Sequence, residues 1–302
     1  MKKFKIKSSK EDIIFDSINY FILILIMIVT LYPFINTLAV SLNDAIDSVR
    51  GGIYLWPRSW TLINYSTILG DPKVYNAALI SILRALVGSV LNVICSLMVA
   101  YTLSRQDFVL RKVYSRVFIF SMYISGGLIP SYFLISDLHL RNNFLVYVLP
   151  AIVSAWNILV VRSYIDGLPQ SLIESAKIDG ASELRIIFSI VFPLSLPVLA
   201  TITLFVAVGQ WNSWFDTMLY CSSKQSLSTL QFELQKVLQS SQMLSTQADM
   251  GQSLTSAATR KAVTTNSLKA AMTIVSIVPI LCVYPYLQKY FVKGLTLGGV
   301  KG

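Results

Sequence analysis

Six uncharged, mainly apolar windows run through this chain, each close to or above the ~18 residues that a helix needs to cross a membrane. The windows cover residues 18–35, 85–103, 117–135, 144–161, 190–215 and 270–288. Only 13% of the residues are charged, about half the share expected in a soluble domain, whereas 54% are apolar. The sequence therefore predicts an all-α polytopic membrane protein with six transmembrane helices.

The distribution of basic residues predicts the orientation of these helices. Residues 1–17 contain five lysines, whereas only Arg50 and Arg58 lie soon after the first window. Because Lys and Arg collect on the cytoplasmic side of a span, residues 1–17 are expected to be a basic cytoplasmic N-terminus. An even number of spans then returns the C-terminus to the same side. Residues 18–302 are interpreted as a single transmembrane domain.

Two other interpretations of charge and hydropathy fit less well. A net charge of +10 would suggest nucleic-acid binding in a soluble protein, but here the membrane explains it, so no nucleic-acid partner is expected. A cleaved signal peptide is the alternative for residues 1–35. The apolar stretch of residues 18–35 is longer than the 7–15 apolar residues of a usual signal peptide, and no small-residue cleavage site follows it closely.

The sequence contains no pattern typical of catalysis or of metal binding. The cysteines Cys95, Cys221 and Cys282 are far apart, and the single His139 has no neighbouring Cys or His. No disulfide framework, zinc site or catalytic constellation is indicated. None of the six windows contains Asp or Glu, which argues against an ion-driven carrier, since such a carrier should hold carboxylates inside the membrane.

Residues 166–189, between the fourth and fifth windows, predict a helix, a turn and a second helix. Pro169 suits the first turn of a helix that has no breaker over residues 170–178. Asp179 and Gly180 end that helix, because glycine adopts positive φ at little cost. Ser182 can then cap the next helix, with Glu183 in its first turn. A short helix at the membrane surface suggests a protein partner.

This segment resembles the Glu-Ala-Ala loop of binding-protein-dependent ATP-binding-cassette importer permeases. Glu174-Ser175-Ala176, Gly180, Ile190 and Pro193 match that pattern in type and spacing, with Ser175 for the first Ala and Phe192 for a Leu. The resemblance implies that this loop couples transport to an ATPase. The residues implied are Glu174, Ser175, Ala176, Lys177, Asp179 and Gly180.

Further similarities point to one branch of this family. Residues 176–182 look like the carbohydrate-uptake branch, related to maltose permease subunits. Residues 211–216, 284–294 and 298–302 resemble permeases for complex oligosaccharides, including those that contain uronic acids. Permeases for amino acids, polyamines or phosphonates are the alternative within the same architecture. A six-span signalling or scaffold protein would leave the pattern from Glu174 to Pro193 unexplained.

The resemblance implies half of a translocation pore in the bacterial cytoplasmic membrane. Its expected partners are a second homologous permease chain, two ATPase subunits, an extracytoplasmic solute-binding protein, membrane lipid and an oligosaccharide. The chain has no Gly-x-x-x-x-Gly-Lys-Ser/Thr loop, so ATP and Mg are expected on the partner ATPase subunits and no cofactor on this chain.

Polar and helix-breaking residues near the windows are candidates for the substrate path. Gly126, Gly127 and Pro130 weaken the third window, which predicts either a kink or hinge on the path or close helix packing. Asn92 and Asn157 could face the pore or hydrogen-bond a neighbouring helix.

A second group of path candidates follows the fifth window: Trp211, Asn212, Trp214 and Asp216. Aromatic rings stack on sugars while amides and carboxylates bind hydroxyls, and an interfacial aromatic belt is the alternative. Arg84, just before the second window, is expected to extend to the membrane surface and is not predicted as a ligand.

Residues 221–269 form a second large extracytoplasmic segment, rich in Ser, Thr and Gln. Leu227, Leu230, Leu234 and Leu238 recur at helical spacing, which predicts an amphipathic helix in part of it. Helix connections usually take about 2–8 residues, so the segment is longer than joining two helices requires, and a solvated linker is the alternative. The resemblance to maltose permeases, which place a loop between the same two spans into the binding protein, implies contact with the solute-binding protein.

Overall fold

The computed structural model describes the backbone of residues 10–249 and 264–299 and the side chains of residues 10–240 and 264–285. The described residues form fourteen α-helices with three short 3-10 helices and one π-helix, and they contain no strand. The α-helices are α1 Lys10–Ser41, α2 Ala45–Val49, α3 Ile63–Leu69, α4 Pro72–Ser104, α5 Arg111–Tyr123, α6 Leu128–Asp137, α7 Ala155–Ile165, α8 Gln170–Ile178, α9 Glu183–Ile186, α10 Phe192–Leu194, α11 Leu196–Asn212, α12 Phe215–Tyr220, α13 Leu230–Asp249 and α14 Thr265–Gly299. The 3-10 helices are Phe144–Tyr147, Leu149–Ala151 and Gln225–Leu227, and the π-helix is Ile187–Val191.

The apolar windows fall on long helices or on bent helix pairs. Among the described residues, α1, α4 and residues Thr265–Pro285 of α14 are each long and apolar enough to cross a membrane. Three further pairs reach that length only as bent units: α5 with α6, Phe144–Ala151 with α7, and Glu183–Leu194 with α11. The prediction of an all-helical polytopic protein is confirmed, and three of its windows are broken helices.

Two of the three breaks have a local cause in the sequence. Between α5 and α6, which meet at 116°, Gly127 adopts φ +86°. Pro130 follows in the first turn of α6, where a missing N–H costs least. The bend of 84° before α11 lies at Ser195, and Pro197 occupies the first turn of that helix. The predicted weakening of the third window is therefore present as a sharp bend.

The chain divides into two compact units. The first contains the described parts of Met1–Gly70 and Val237–Val275, and the second contains the described parts of Asp71–Lys236 and Ser276–Gly302. Each unit is considered by itself below.

Helix α4 is the centre of the second unit. It packs against α7 and α11 with a face of small and polar residues, among them Ala77, Ser89 and Ala100. Small side chains allow helix backbones to approach closely. At Gly88 the approach is so close that an added Cβ would lie 3.0 Å from Nε2 of Gln210 on α11. The apolar core of this unit therefore forms around α4.

In the first unit, the segment after α1 folds back along that helix. Asn36 Nδ2 donates to the carbonyl oxygens of Ile53 and Tyr54, at 2.8 and 2.9 Å. The buried Asn64 amide donates to the carbonyls of Ser41 and Asn43. The segment between α1 and α4 is thus an ordered structure with two helices of its own, α2 and α3.

The predicted helix, turn and helix in residues 166–189 are confirmed. Helix α8 covers Gln170–Ile178, Pro169 stands at its N-cap, and Gly180 after it adopts φ +75°. The Ser182 side chain accepts a hydrogen bond from the Arg185 amide, and Glu183 is the first residue of α9. Local sequence alone specified this segment.

The leucine repeat of residues 227–238 is mostly helical, as predicted. Helix α13 begins at Leu230, whereas Leu227 belongs to the preceding 3-10 helix. Other predictions lie outside the described residues: the lysines within residues 1–9, residues 250–263 of the large segment, and the tail at 300–302.

Candidate functional site

A cavity of about 610 Å³ lies in the second unit, beside α4. It is bordered by α4, α6, α7, α11, α12 and the two 3-10 helices before α7. Its polar lining residues are Arg84, Asn92, Ser131, Tyr147, Ser154, Asn157, Gln210, Ser213, Asp216 and Tyr220. Three of the predicted path residues, Asn92, Asn157 and Asp216, therefore meet at one cavity.

The guanidinium of Arg84 is the centre of the hydrogen bonding at this cavity. It forms an ion pair with Asp216, with Nη2 2.5 Å from Oδ2, and Nη1 also donates to Oδ1 at 3.2 Å. Nε and Nη2 donate to Oε1 of Gln210, and Nη1 donates to the Ser213 carbonyl. The Tyr147 ring lies under the guanidinium, with its centroid 4.4 Å from Cζ. One side chain thus connects α4, the break between α11 and α12, and the 3-10 segment.

The expectation that Arg84 extends to the membrane surface is wrong. Only 2% of the side chain is exposed, because the protein supplies both the countercharge and the acceptors that water would otherwise provide. Five hydrogen bonds match the five N–H groups of a guanidinium. The side chain therefore acts as a brace between helices, and it has no free donor left for a solute.

Asn92 and Asn157 are paired with each other inside the same unit. Asn157 Nδ2 donates to Oδ1 of Asn92 at 2.8 Å, and Asn92 Nδ2 donates to the Ala151 carbonyl at 2.7 Å. That carbonyl lies just before the bend that leads into α7, where helical hydrogen bonding is interrupted. The hydrogen bond to a neighbouring helix is therefore present, and both amides also line the cavity.

The other predicted path residues lie elsewhere. Trp211 is buried and its Nε1 donates to the Ser276 carbonyl at 3.0 Å, while Asn212 accepts a hydrogen bond from Gln231. Trp214 packs edge to face on Phe215. Gly126 and Gly127 have open space around them, since an added Cβ would meet no described atom within 4 Å. Close packing against the described residues is therefore not the reason for the two glycines.

The cavity offers the chemistry of a site for a hydroxyl-rich solute. Amides, hydroxyls and the edge of a carboxylate give both donors and acceptors, and the ring of Tyr220 gives an apolar surface. No group of His, Cys, Asp and Glu within the described residues could hold a metal ion. The lining provides binding groups and no evident nucleophile with an activating base.

The short helix α8 forms a second candidate site on the same unit. Its inner face, Ile173 and Ala176, is buried in the core around α4. Its outer face is exposed and carries Glu174, Ser175 and Ile178, and the Ile178 side chain is 86% exposed. An isoleucine this exposed on an anchored helix, next to a carboxylate, forms a surface suited to contact with another protein.

Lys177 anchors α8 to the end of α4. Its Nζ lies 2.8 Å from Glu183 Oε1 and 3.4 Å from Asp107 Oδ2. The Tyr101 hydroxyl on α4 donates to the other oxygen of Glu183 at 2.5 Å. The hydrogen bond with Glu183 outweighs partial burial and raises the pKa of Lys177 above its usual value. The ammonium therefore stays charged in the neutral pH range, and the anchor is kept.

We expect Arg84→Met to destabilise the protein by about 3 kcal/mol, at the lower end of the effect of breaking a buried pair, because Asp216 is partly exposed. The variant leaves the Asp216 carboxylate and the Gln210 amide without their partner. The midpoint of thermal unfolding in detergent measures the loss.

The matched control is the double variant Arg84→Met with Asp216→Asn, which removes the unpaired charge. It should recover part of the lost stability, as expected for directly coupled residues. If Arg84→Met unfolded at the wild-type midpoint, Arg84 would not brace these helices.

Comparison with known proteins gives the family. The model of the family described as "Binding-protein-dependent transport system inner membrane component" matches residues 13–297. The polygalacturonan/rhamnogalacturonan transport system permease protein YtcP of Bacillus subtilis is 33% identical over 289 residues, which cover 96% of this chain and 99% of that protein. Protein LplC of the same organism is 32% identical over 295 residues, covering 98% and 97%.

A solved structure has the same fold. It belongs to a bacterial ABC transporter involved in the import of the acidic polysaccharide alginate, with a TM-score of 0.82 and 26% identity, covering 95% of this chain and 100% of that chain. These similarities extend over nearly the whole sequence, including α4, α8 and the cavity. The chain belongs to the family of inner membrane components of binding-protein-dependent transport systems.

Proposed function

We propose that this chain is the permease subunit of an ABC importer that moves oligosaccharides across the bacterial cytoplasmic membrane. The observation that carries this proposal is the cavity beside α4, where amide, hydroxyl and carboxylate groups lie among apolar side chains, in a chain of this transport family. The similarity to permeases for polygalacturonan and rhamnogalacturonan and to the alginate importer supports a saccharide as the solute. The chain itself is a transport component and not an enzyme.

The proposed architecture has six membrane crossings and both termini in the cytoplasm. Three unbroken helices and three bent pairs among the described residues are long and apolar enough for six crossings. With the basic N-terminus inside, α8 also lies on the cytoplasmic side, between the fourth and fifth crossings. The bends at membrane depth require that protein or cavity water satisfies their backbone groups, and the cavity borders all three bent pairs.

The proposed substrate path runs along this cavity. Asn92, Asn157 and Asp216 supply amide and carboxylate oxygens there. Gly126 and Gly127, at the bend between α5 and α6, are proposed as the hinge of that path. Trp211, Asn212 and Trp214 remain predictions for its rim, because none of them lines the cavity.

The proposed partners follow from the surfaces of the chain. A second homologous permease would complete the pore, two ATPase subunits would bind and hydrolyse Mg·ATP, and one of them would contact α8. The exposed face of Glu174, Ser175, Ile178, Asp179 and Gly180 is proposed as that contact. Lys177 and Ala176 hold the helix in place beneath it.

The substrate class is tested by transport in vesicles that contain the complete importer. Uptake and ATP hydrolysis should rise with binding protein loaded with an oligosaccharide, including oligogalacturonides as the probe. Loading with amino acids, polyamines or phosphonates should give no such rise. A response to one of those solutes and none to saccharides would overturn the proposed substrate.

The role of α8 is tested by Gly180→Val. A β-branched residue at φ +75° costs about 1–2 kcal/mol, so the turn between α8 and α9 should shift and weaken both ATPase binding and uptake. Co-purification of the ATPase and uptake in vesicles measure the two effects.

Gly180→Asn is the matched control, because asparagine tolerates the left-handed region far better than valine does. It should retain more of both activities. Wild-type uptake and ATPase binding by Gly180→Val would contradict the assignment of α8.

The segment of residues 221–269 is proposed to contact the sugar-loaded binding protein. Replacing residues 240–256 by a short Gly-Ser linker should reduce the stimulation of ATP hydrolysis by that protein. Membrane insertion and ATPase binding should remain, since α8 and the core around α4 are untouched. If the loaded binding protein stimulated ATP hydrolysis equally in reconstituted vesicles of the shortened variant, this segment would be a solvated linker.

A further inference from the structure

A patch of exposed aromatic and aliphatic side chains stands on the segment that follows α1. This aromatic patch consists of Tyr54, Leu55, Trp56 and Trp60, and their side chains are 65, 57, 71 and 57% exposed. The two indole rings meet edge to face, with centroids 5.3 Å apart. Adjacent large apolar groups exposed in this way mark an interaction surface.

The backbone beneath the aromatic patch is firmly held. Arg58 donates from Nε to Asp47 and from Nη2 to the Gly51 carbonyl at 2.8 Å, which closes the loop on itself. Asn43 forms an antiparallel bridge with Trp60, and its Oδ1 accepts the Ser59 amide. The rings are therefore presented on a defined frame rather than on a loose loop.

The attachment of this frame to α1 sets its height in the membrane. Asn36 binds the carbonyls of Ile53 and Tyr54, so the patch begins beside that turn of α1. Asp16 is the last charged residue before the apolar stretch of α1. From there to Asn36 is about 20 residues, or roughly 30 Å of helix, which equals the thickness of the hydrocarbon core.

The polar atoms of the patch are available to a partner. Among the described residues, no protein group accepts a hydrogen bond from Nε1 of Trp56 or Trp60 or from the Tyr54 hydroxyl. Indole and phenol rings with an apolar body and a free donor are the side chains that prefer the boundary between hydrocarbon and headgroups.

We propose that the aromatic patch is a lipid-contact site that fixes the end of α1 in the interfacial layer of the bilayer. The rings lie among the glycerol and upper acyl regions, and their N–H and O–H groups donate to lipid ester and phosphate oxygens. The inference rests on the proposed crossing of α1 and is independent of the transported solute. It makes this segment an anchor against which the helices that follow it can be positioned.

The test uses the complete importer in vesicles of phosphatidylcholine and phosphatidylglycerol. The phosphatidylcholine carries bromine either near the headgroup end or near the methyl end of its acyl chains. Tryptophan emission is recorded for the wild type and for the variant with Trp56→Phe and Trp60→Phe. The difference between them is the emission of the two patch indoles, and the variant Trp156→Phe, treated alike, provides a reference for an exposed indole within an apolar window.

Bromine near the headgroup end should quench the difference emission more strongly than bromine near the methyl end. Addition of sugar-loaded binding protein should leave this quenching unchanged. No quenching from either position would overturn the proposal. So would quenching that disappears on addition of the binding protein, since the patch would then be a protein-docking surface. Sugar uptake measured on the same vesicles separates failure of this inference from failure of the proposed transport function.

Discussion

The hydrocarbon core of a bilayer offers no hydrogen bonds to a peptide group, and this constraint explains most of the architecture. Each polar backbone group in an apolar window has to find a partner inside the protein, and helices provide one within each segment. The described residues accordingly form helices and no strand. The exceptions are the bends at Gly127, before α7 and at Ser195, and all three bent pairs contribute to the lining of one polar cavity. Breaks in the backbone and the opening inside the unit therefore occur together.

Helix α4 links the two candidate sites of the second unit. Arg84 near one end is fixed to Gln210 and Asp216, and Tyr101 near the other end is fixed to Glu183. The two side chains are separated by about 25 Å at a rise of 1.5 Å per residue. Between them the small residues of α4 allow close contact with α7 and α11. A displacement of α8 would thus reach the cavity through a stiff and closely packed element, which gives the proposed coupling a physical route.

The buried polar groups of this route favour one arrangement of helices. A guanidinium with all donors engaged and a pair of asparagines bound to each other lose hydrogen bonds if either helix rotates or slides. The cost of leaving such groups unsatisfied away from water is high, about 1–3 kcal/mol each and more for a charge. A permease that changes conformation during transport has to exchange these partners or move them together.

Local sequence was sufficient to predict some features of this protein and insufficient to predict others. The windows, the ends of α8, the φ of Gly180 and the cap at Ser182 depend on neighbouring residues, so hydropathy and turn chemistry predicted them. Family membership could likewise be predicted from the spacing of Glu174, Gly180 and Pro193. The partners of Arg84 could not, because Gln210 and Asp216 follow it by 126 and 132 residues and nothing local marks them as its acceptors. Tertiary structure alone determined that this arginine is buried, that Asn92 and Asn157 meet, and that Trp211 turns away from the cavity, since each depends on which helix faces which.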